Sequence, residues 1–369
     1  MKNSLRIALF LSLSFQLALG QNKVHKIDSL ISSLYQNGEF SGNILVAEKG
    51  EIIYKNCLGW ANEETKHKLH LNSVFELASV SKQFTALAIM ILKEKGKLDL
   101  DDKIDKFIPE LSYYGKISIR NLLQHTIGLP DYEKLIDSLL DKRKVATNAA
   151  VVSIFARHHP KVSFEPNSTY QYCNTGYALL ATIIERISGM TYQTFMKTNV
   201  FAPLGMTSTF IANVGFNPLT INHYTYGYKK DSLSKSVSRV DHTDQYQAVV
   251  GQAHTKSTVV DLFKWDRALN TTQLVSRRSL DEIFTNGILE SGMEINYGLG
   301  WWLPITDHWK DFGKMASHTG GLPGYGSKIT RFSLYDRTII LLVNHEDIDI
   351  SRIHNAIRDL LFDKPAPPH

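Results

Sequence analysis

Ser79 and Lys82 stand three residues apart in the stretch Phe75-Glu76-Leu77-Ala78-Ser79-Val80-Ser81-Lys82-Gln83-Phe84. A serine hydroxyl is a poor nucleophile until a neighbouring group takes its proton. A lysine one helical turn away can reach that hydroxyl, and helps if its pKa is lowered or if its charge steers a second base. The chemistry this pair offers is acyl transfer through a covalent serine ester. By itself the tetrapeptide is weak, because Ser-x-x-Lys is common and a serine at a helix start is usually an N-cap. Ser81 is a rival hydroxyl and a rival cap.

Two later stretches add to the pair. In Tyr170-Gln171-Tyr172-Cys173-Asn174-Thr175-Gly176 the spacing of Tyr172 and Asn174 puts a phenol and an amide on one side of an extended segment. A tyrosine near a lysine can hold a lowered pKa and act as a general base, or it can shuttle a proton. The competing reading is an aromatic turn ahead of the next helix. In His318-Thr319-Gly320-Gly321 the glycines allow close backbone approach to a substrate. A free N–H there forms half of an oxyanion hole, with the Ser79 N–H as the other half. Loss of one such donor costs roughly 3–4 kcal/mol of transition-state stabilisation.

These groups need elements to hold them. Phe84, Leu87, Ala88, Ile91 and Leu92 give one apolar helical face, and Lys93, Lys95 and Gly96 close that helix, so Ser79 falls at its first turn. The N-terminal side reads as a helix over 23–37, then a hairpin of Gly42 to Ala47 and Glu51 to Tyr54 around Glu48-Lys49-Gly50. From about 97 to 210 the pattern is mostly helical. It includes a short helix stopped at Pro109, a helix from Ser118 to His125, a helical stretch over 131–160, and a strong helix from Tyr177 to a glycine stop at Gly189. Residues 211–250 read as loops with short strands. Ser257-Thr258 cap a helix running to Leu269, and 276–289 hold another. Strands return with Asn296 to Leu303, Tyr325 to Phe332 and Thr338 to Asn344, and Ile350 to Phe362 is a closing amphipathic helix. The fold class is α/β (α+β): an antiparallel sheet built from both chain ends and flanked by helices, with a mostly helical domain inserted. The expected boundaries are 1–20 as a signal peptide, 21–85 with 255–369 as the sheet domain, and 86–254 as the insertion.

Composition narrows the function classes. The chain has 369 residues, 43% of them hydrophobic, enough for a large core. Lys2 and Arg6, the apolar run Ile7 to Leu19 and the small residues before Gln21 form a secretory leader pattern. No cysteine follows that run to take a lipid, and no later segment is apolar enough to span a membrane. The net charge is +5, or +3 without Lys2 and Arg6, too small and dispersed to favour nucleic acid. Cys57 and Cys173, the only cysteines, are read as free thiols, although export would permit a disulfide. His345-Glu346-Asp347 with Asp349 lacks a second ligand cluster, so no metal site is expected, and His125 and His158-His159 have no suitable partner spacing. Trp301-Trp302 could line a cleft, with core packing the stronger reading.

In combination, Ser79-x-x-Lys82, Tyr172-x-Asn174 and His318-Thr319-Gly320 resemble the penicillin-recognising serine hydrolases. The Tyr-x-Asn form is similar to the branch of class C β-lactamases, DD-carboxypeptidases and related esterases and D-aminopeptidases. Leu122 to Leu129, Pro203-Leu204-Gly205-Met206 and Ser257 to Leu262 extend the resemblance over nearly all of the chain beyond the leader. It implies that Ser79 forms the acyl-enzyme, that Lys82 and Tyr172 move its proton, and that Asn174 binds the substrate amide. It further implies that Ser79 and Gly321 donate to the oxyanion, with Thr319 and Gly320 completing the strand motif and no cofactor needed. His318 replaces the lysine of class C β-lactamases and is mostly neutral at pH 7, which weakens the β-lactamase reading more than the peptidase one. His254 stands where relatives often carry glycine and is read as a surface loop residue. The expectation is an exported serine hydrolase acting on small-molecule or peptide-like substrates, an amidase, peptidase or esterase, with no nucleic-acid partner and an open oligomeric state. The alternatives are a class C-like β-lactamase or a non-catalytic β-lactam- or peptide-binding module.

Overall fold

The computed structural model describes residues 22–364, apart from 142, 213–214, 232–233, 235, 241–245 and 306–311. The expected leader lies outside the described residues. Five strands form one antiparallel sheet: β1 (Gly42–Glu48), β2 (Glu51–Leu58), β3 (Met315–Leu322), β4 (Tyr325–Phe332) and β5 (Arg337–Val343), in the order β3-β4-β5-β1-β2. Both chain ends therefore build it, as the sequence pattern predicts.

The apolar runs of β1 and β5 are continuous because both sheet faces are covered. Successive side chains point to opposite faces. Ile44, Val46, Ile339, Leu341 and Val343 enter one core with Ile27, Ile31, Ile353 and Ile357, from helix α1 (22–36) and a terminal helix, Ile350–Leu361. Leu45, Ala47, Ile340 and Leu342 enter the larger core on the other face. That core includes Phe84, Leu87 and Ile91 of α2 (Lys82–Glu94), and Leu179, Leu180 and Ile183 of α3 (Asn174–Ser188). Phe84 also packs on the Trp265 ring at 4.5 Å, and the Trp265 Nε1–H donates to Gln83 Oε1 at 3.0 Å. The helix bearing Lys82 is thus fixed from several sides.

Several boundaries differ from the expected ones, each for a local reason. Asn296 to Leu303 is not a strand but a tight reversal, with the Gly298 N–H donating to the Trp301 carbonyl at 2.9 Å. A Cβ on Gly298 would lie 2.4 Å from the Ile283 carbonyl oxygen, and one on Gly300 (φ +79°) 2.8 Å from that of Lys82. The glycines let this loop touch the neighbouring helices, and it pairs with β3 only through Trp302 and Ser317. The short helix expected before Pro109 is the 3-10 turn Ile104–Lys106, and Pro109 itself opens a second 3-10 helix, Pro109–Tyr114, where its missing N–H costs no bond. Helix α3 begins three residues early, at Asn174. Ser257 is not a cap but ends the short strand Thr255–Ser257. Thr258 alone caps Val259–Ala268, accepting from the Asp261 N–H. The helix expected over 276–289 is shorter, Arg277–Ile283, and the 131–160 stretch divides into Tyr132–Leu139 and Asn148–His158. Cys57 and Cys173 are free. Among the described residues, no helix is long and apolar enough to cross a membrane.

Candidate active site

Ser79 does not sit in the α-helix itself. It lies in a 3-10 turn, Ala78–Ser81, that runs directly into α2. Ala78, just before it, has φ +47°, a left-handed conformation that costs an L-residue roughly 1–2 kcal/mol. The turn lifts the Ser79 hydroxyl to a half-buried position, whereas Ser81 is fully buried and its Oγ accepts from the Thr255 N–H at 3.1 Å. The rival hydroxyl is a structural anchor.

Lys82 Nζ is completely buried and has three acceptors: Ser79 Oγ at 3.0 Å, Asn174 Oδ1 at 2.9 Å and the Gln252 carbonyl at 2.9 Å. Three acceptors match the three N–H groups of an ammonium. Burial nevertheless pushes its pKa down to about 7, against the opposing pull of the Asp131 and Glu133 carboxylates. When the amine is neutral, two N–H groups stay on Asn174 and Gln252, and the lone pair faces the serine hydroxyl.

The Tyr172 hydroxyl lies beside Ser79, and its ring lies 4.9 Å from Lys82 Nζ. Its pKa is raised, chiefly by burial, with the Asp131 and Glu133 carboxylates adding to that. The expectation of a tyrosine with lowered pKa is therefore corrected: the phenol is neutral, which leaves it able to relay a proton but not to serve as an anionic base. Asn174 opens α3. Its backbone N–H donates to Asp131 Oδ2 at 3.1 Å and its Nδ2 to Glu133 Oε1 at 3.2 Å, which aims Oδ1 at Lys82.

Sequence reasoning missed His125. It is buried with φ +58°, its ring sits 4.2 Å from that of Tyr172, and its carbonyl accepts from the Gln171 N–H at 2.9 Å. Its Nδ1 accepts from the Cys173 N–H at 3.1 Å, so one residue templates the whole Tyr172–Asn174 turn. Asp131, Glu133 and Gln252 were also missed. Asp131 had a faint signal as a cap candidate after Gly128-Leu129-Pro130. Gln252 acts through its carbonyl, which no side-chain motif encodes.

β3 supplies the opposite wall. Ser317 and Trp302 exchange N–H to carbonyl bonds at 2.8 and 3.0 Å across its outer side. Alternate residues point their backbone groups the same way, so the amides of Thr319 and Gly321 also face that open edge. A Cβ built on Gly321 meets nothing within 4 Å, whereas one on Gly320 would lie 2.2 Å from the Leu77 carbonyl oxygen and 2.5 Å from Ser327 Oγ. Gly320 is what lets β3 lie against the Ser79 turn. Gly320→Ala should lower stability by about 1–3 kcal/mol and slow turnover as the strand is pushed off the turn. Thermal melts and steady-state rates check this, and wild-type values in both would refute the contact.

His318 is buried beside this strand. Its Nδ1–H donates to the Thr319 carbonyl at 2.7 Å and its Nε2 accepts from the Tyr297 hydroxyl at 2.9 Å. Burial and the Lys82 charge hold its pKa near 3, so it is neutral across the physiological range. His254 is not a surface residue. It is buried with φ +69°, its Nδ1 4.0 Å from Glu76, whose carboxylate pairs with Lys256. The strand pairing of Thr255–Ser257 with Phe75–Glu76 draws that loop inward. Trp301 is core, but Trp302 is half-buried against Tyr170, Tyr172 and Tyr297.

Comparison with known proteins places the chain in a family. A family model described as Beta-lactamase matches residues 27–362. Penicillin-binding protein 4* of Bacillus subtilis (strain 168) is 38% identical over 353 residues, which cover 94% of this chain and 77% of that protein. Among solved structures, the octameric penicillin-binding protein homologue from Pyrococcus abyssi superposes with a TM-score of 0.79 at 25% identity, covering 92% of this chain and 78% of that one. D-amino acid amidase from Ochrobactrum anthropi SV3 shares the fold, with a TM-score of 0.75 at 23% identity over 93% of this chain and 99% of that one. With Ser79 on its turn, a buried lysine and an open strand edge arranged in this way, the chain belongs to the β-lactamase family of serine hydrolases.

Proposed function

We propose that the protein is an exported hydrolase that cleaves peptide-like amides or esters through an acyl-enzyme on Ser79. The observation that carries this reading is the fully buried Lys82 amine, 3.0 Å from Ser79 Oγ and tuned to a pKa of about 7. Neutral Lys82 takes the Ser79 proton as Oγ attacks the carbonyl carbon. The oxyanion that forms is held by the N–H groups of Ser79 and Gly321. As the bond to the leaving amine or alcohol breaks, the proton on Lys82 passes through the Tyr172 hydroxyl to the leaving atom. Water then repeats the sequence on the ester, giving its proton to the same relay, and the acid and free serine are released. Asn174 and the β3 edge bind the substrate backbone.

The neutral His318 favours a peptidase, amidase or esterase over an efficient β-lactamase, because it gives no fixed positive charge for a β-lactam carboxylate. The test is intact mass during incubation with a penicillin, with Ser79→Ala as control. A lasting mass gain equal to the drug, absent from the variant, supports a penicillin-binding peptidase. Consumption of the drug with no lasting adduct supports the β-lactamase alternative. An adduct that persists in Ser79→Ala refutes the assigned nucleophile. Export rests on the leader pattern before Gln21 and on the relationship to penicillin-binding proteins. Protein recovered outside the cytoplasm should begin near Gln21, and an intact Met1 terminus on cytoplasmic protein alone would refute it.

A further inference from the structure

Outside the active site, the fold gathers three histidines that are remote in sequence. His67 and His70 lie on and just after the short strand His67–Lys68, which pairs with Trp60–Asn62. His223 precedes Tyr224, which bridges to Val74. One ring nitrogen from each lies within 4.8 Å of the others, and His70 Nε2 is 2.8 Å from His223 Nδ1. We propose that His67, His70 and His223 form a binding site for a single zinc ion.

The backbone beneath these rings is pinned. The His70 N–H donates to Ser73 Oγ at 3.0 Å, the His70 carbonyl accepts from Asn43 Nδ2 at 2.8 Å, and the His223 carbonyl accepts from the Val74 N–H at 2.9 Å. His223 holds φ +62°, a conformation that brings its ring to the pair. Zinc takes imidazole nitrogens at about 2.0–2.1 Å, which at a tetrahedral angle sets them about 3.3 Å apart. The 2.8 Å pair therefore opens by about half an ångström and the third ring swings in. Both outer rings are exposed and able to do so. Two imidazoles at hydrogen-bond distance share one proton, and the metal takes that proton's place. The proton left on His70 then sits on Nδ1, so that ring gives up its 3.2 Å contact from the exposed Asn72 N–H to water.

The donor set selects the metal class. Three neutral imidazoles with no carboxylate suit zinc and its first-row neighbours and disfavour calcium or magnesium. The Val74 segment leads through Phe75–Glu76 to the Ser79 turn, so the ion steadies the chain that enters that turn without touching Ser79.

Titration of the metal-stripped, tag-free mature chain with zinc chloride tests this by calorimetry and by thermal melting. The expected result is one ion per chain, with the melting temperature raised by zinc. His67→Ala and His223→Ala, both at exposed positions, should melt as wild type without zinc and bind it at least about ten-fold more weakly. No binding by the wild-type chain, or undiminished affinity in both variants, would overturn the site.

Discussion

Ser79→Ala is expected to lose on the order of 10⁶ in kcat on any activated ester or amide, because a nucleophile and its base act as one unit. The variant should fold normally, since the lost oxygen is half-buried and anchors no backbone group. The contrasting substitution is Ser81→Ala. That hydroxyl is buried and accepts from the Thr255 N–H, so its loss should cost about 1–3 kcal/mol of stability with turnover largely retained. Steady-state rates and denaturant midpoints on the two variants separate the roles. The reverse pattern would mean that the 3-10 turn presents the wrong serine.

The second large effect is at Lys82. Lys82→Met keeps most of the side-chain volume and removes the amine, and should lower the acylation rate by roughly 10²–10⁴-fold. The wild-type pH profile supplies an independent signature. Below pH 7 all three N–H groups are engaged and no lone pair faces Ser79, while above it the amine is free to accept. The acylation rate should therefore rise through about pH 7, and that limb should be absent in Lys82→Met. His318, held near 3, adds no second limb in this range. The same shift has a stability counterpart. Between about pH 7 and the ordinary lysine value of 10.5, the unfolded chain binds the proton and the folded chain does not, so stability rises with pH across that window. The stabilisation is fully present above 10.5 and is lost as pH falls through 7, on the order of 5 kcal/mol for this group. A flat acylation profile from pH 5 to 9 would rule out Lys82 as the proton acceptor.

The parts of the site that were legible in sequence are those where a side-chain type and a local period suffice. Continuous apolar, β-branched-rich runs in β1 and β5 indicated strands, and the period of Phe84, Leu87 and Ile91 fixed the helix that carries Lys82. What escaped was tertiary. Gln252 contributes a carbonyl, and any residue type supplies one. His125 and Tyr172 meet only when two loops stack, and neither segment announces the other. Asn296 to Leu303 has strand-like composition, but its glycines serve close approach to α2 and the helix ending at Ile283, which composition does not encode. The direction of the Tyr172 shift was misjudged because burial outweighs a neighbouring cation, and burial is not visible along the chain. His67 and His70 carry a ligand-like spacing, but their third partner lies 153 residues beyond His70 and only the fold brings it near.

An open sheet has two edges, and unpaired strand edges are where proteins begin to aggregate. Here both are blunted. β2 sets Glu51 and Lys55 outward, and its pairing with β1 is broken by a bulge at Val46/Ala47, which twists the edge out of register with any flat partner. On β3, Trp302 occupies the outer groups of Ser317, and the outward-facing amides beyond it are those of Thr319 and Gly321 towards the end of the strand. So short a stretch is too little for another sheet to dock along, yet it suffices for a brief extended ligand. The same tryptophan loop that borders the Ser79 site thus also shortens the open edge of the sheet.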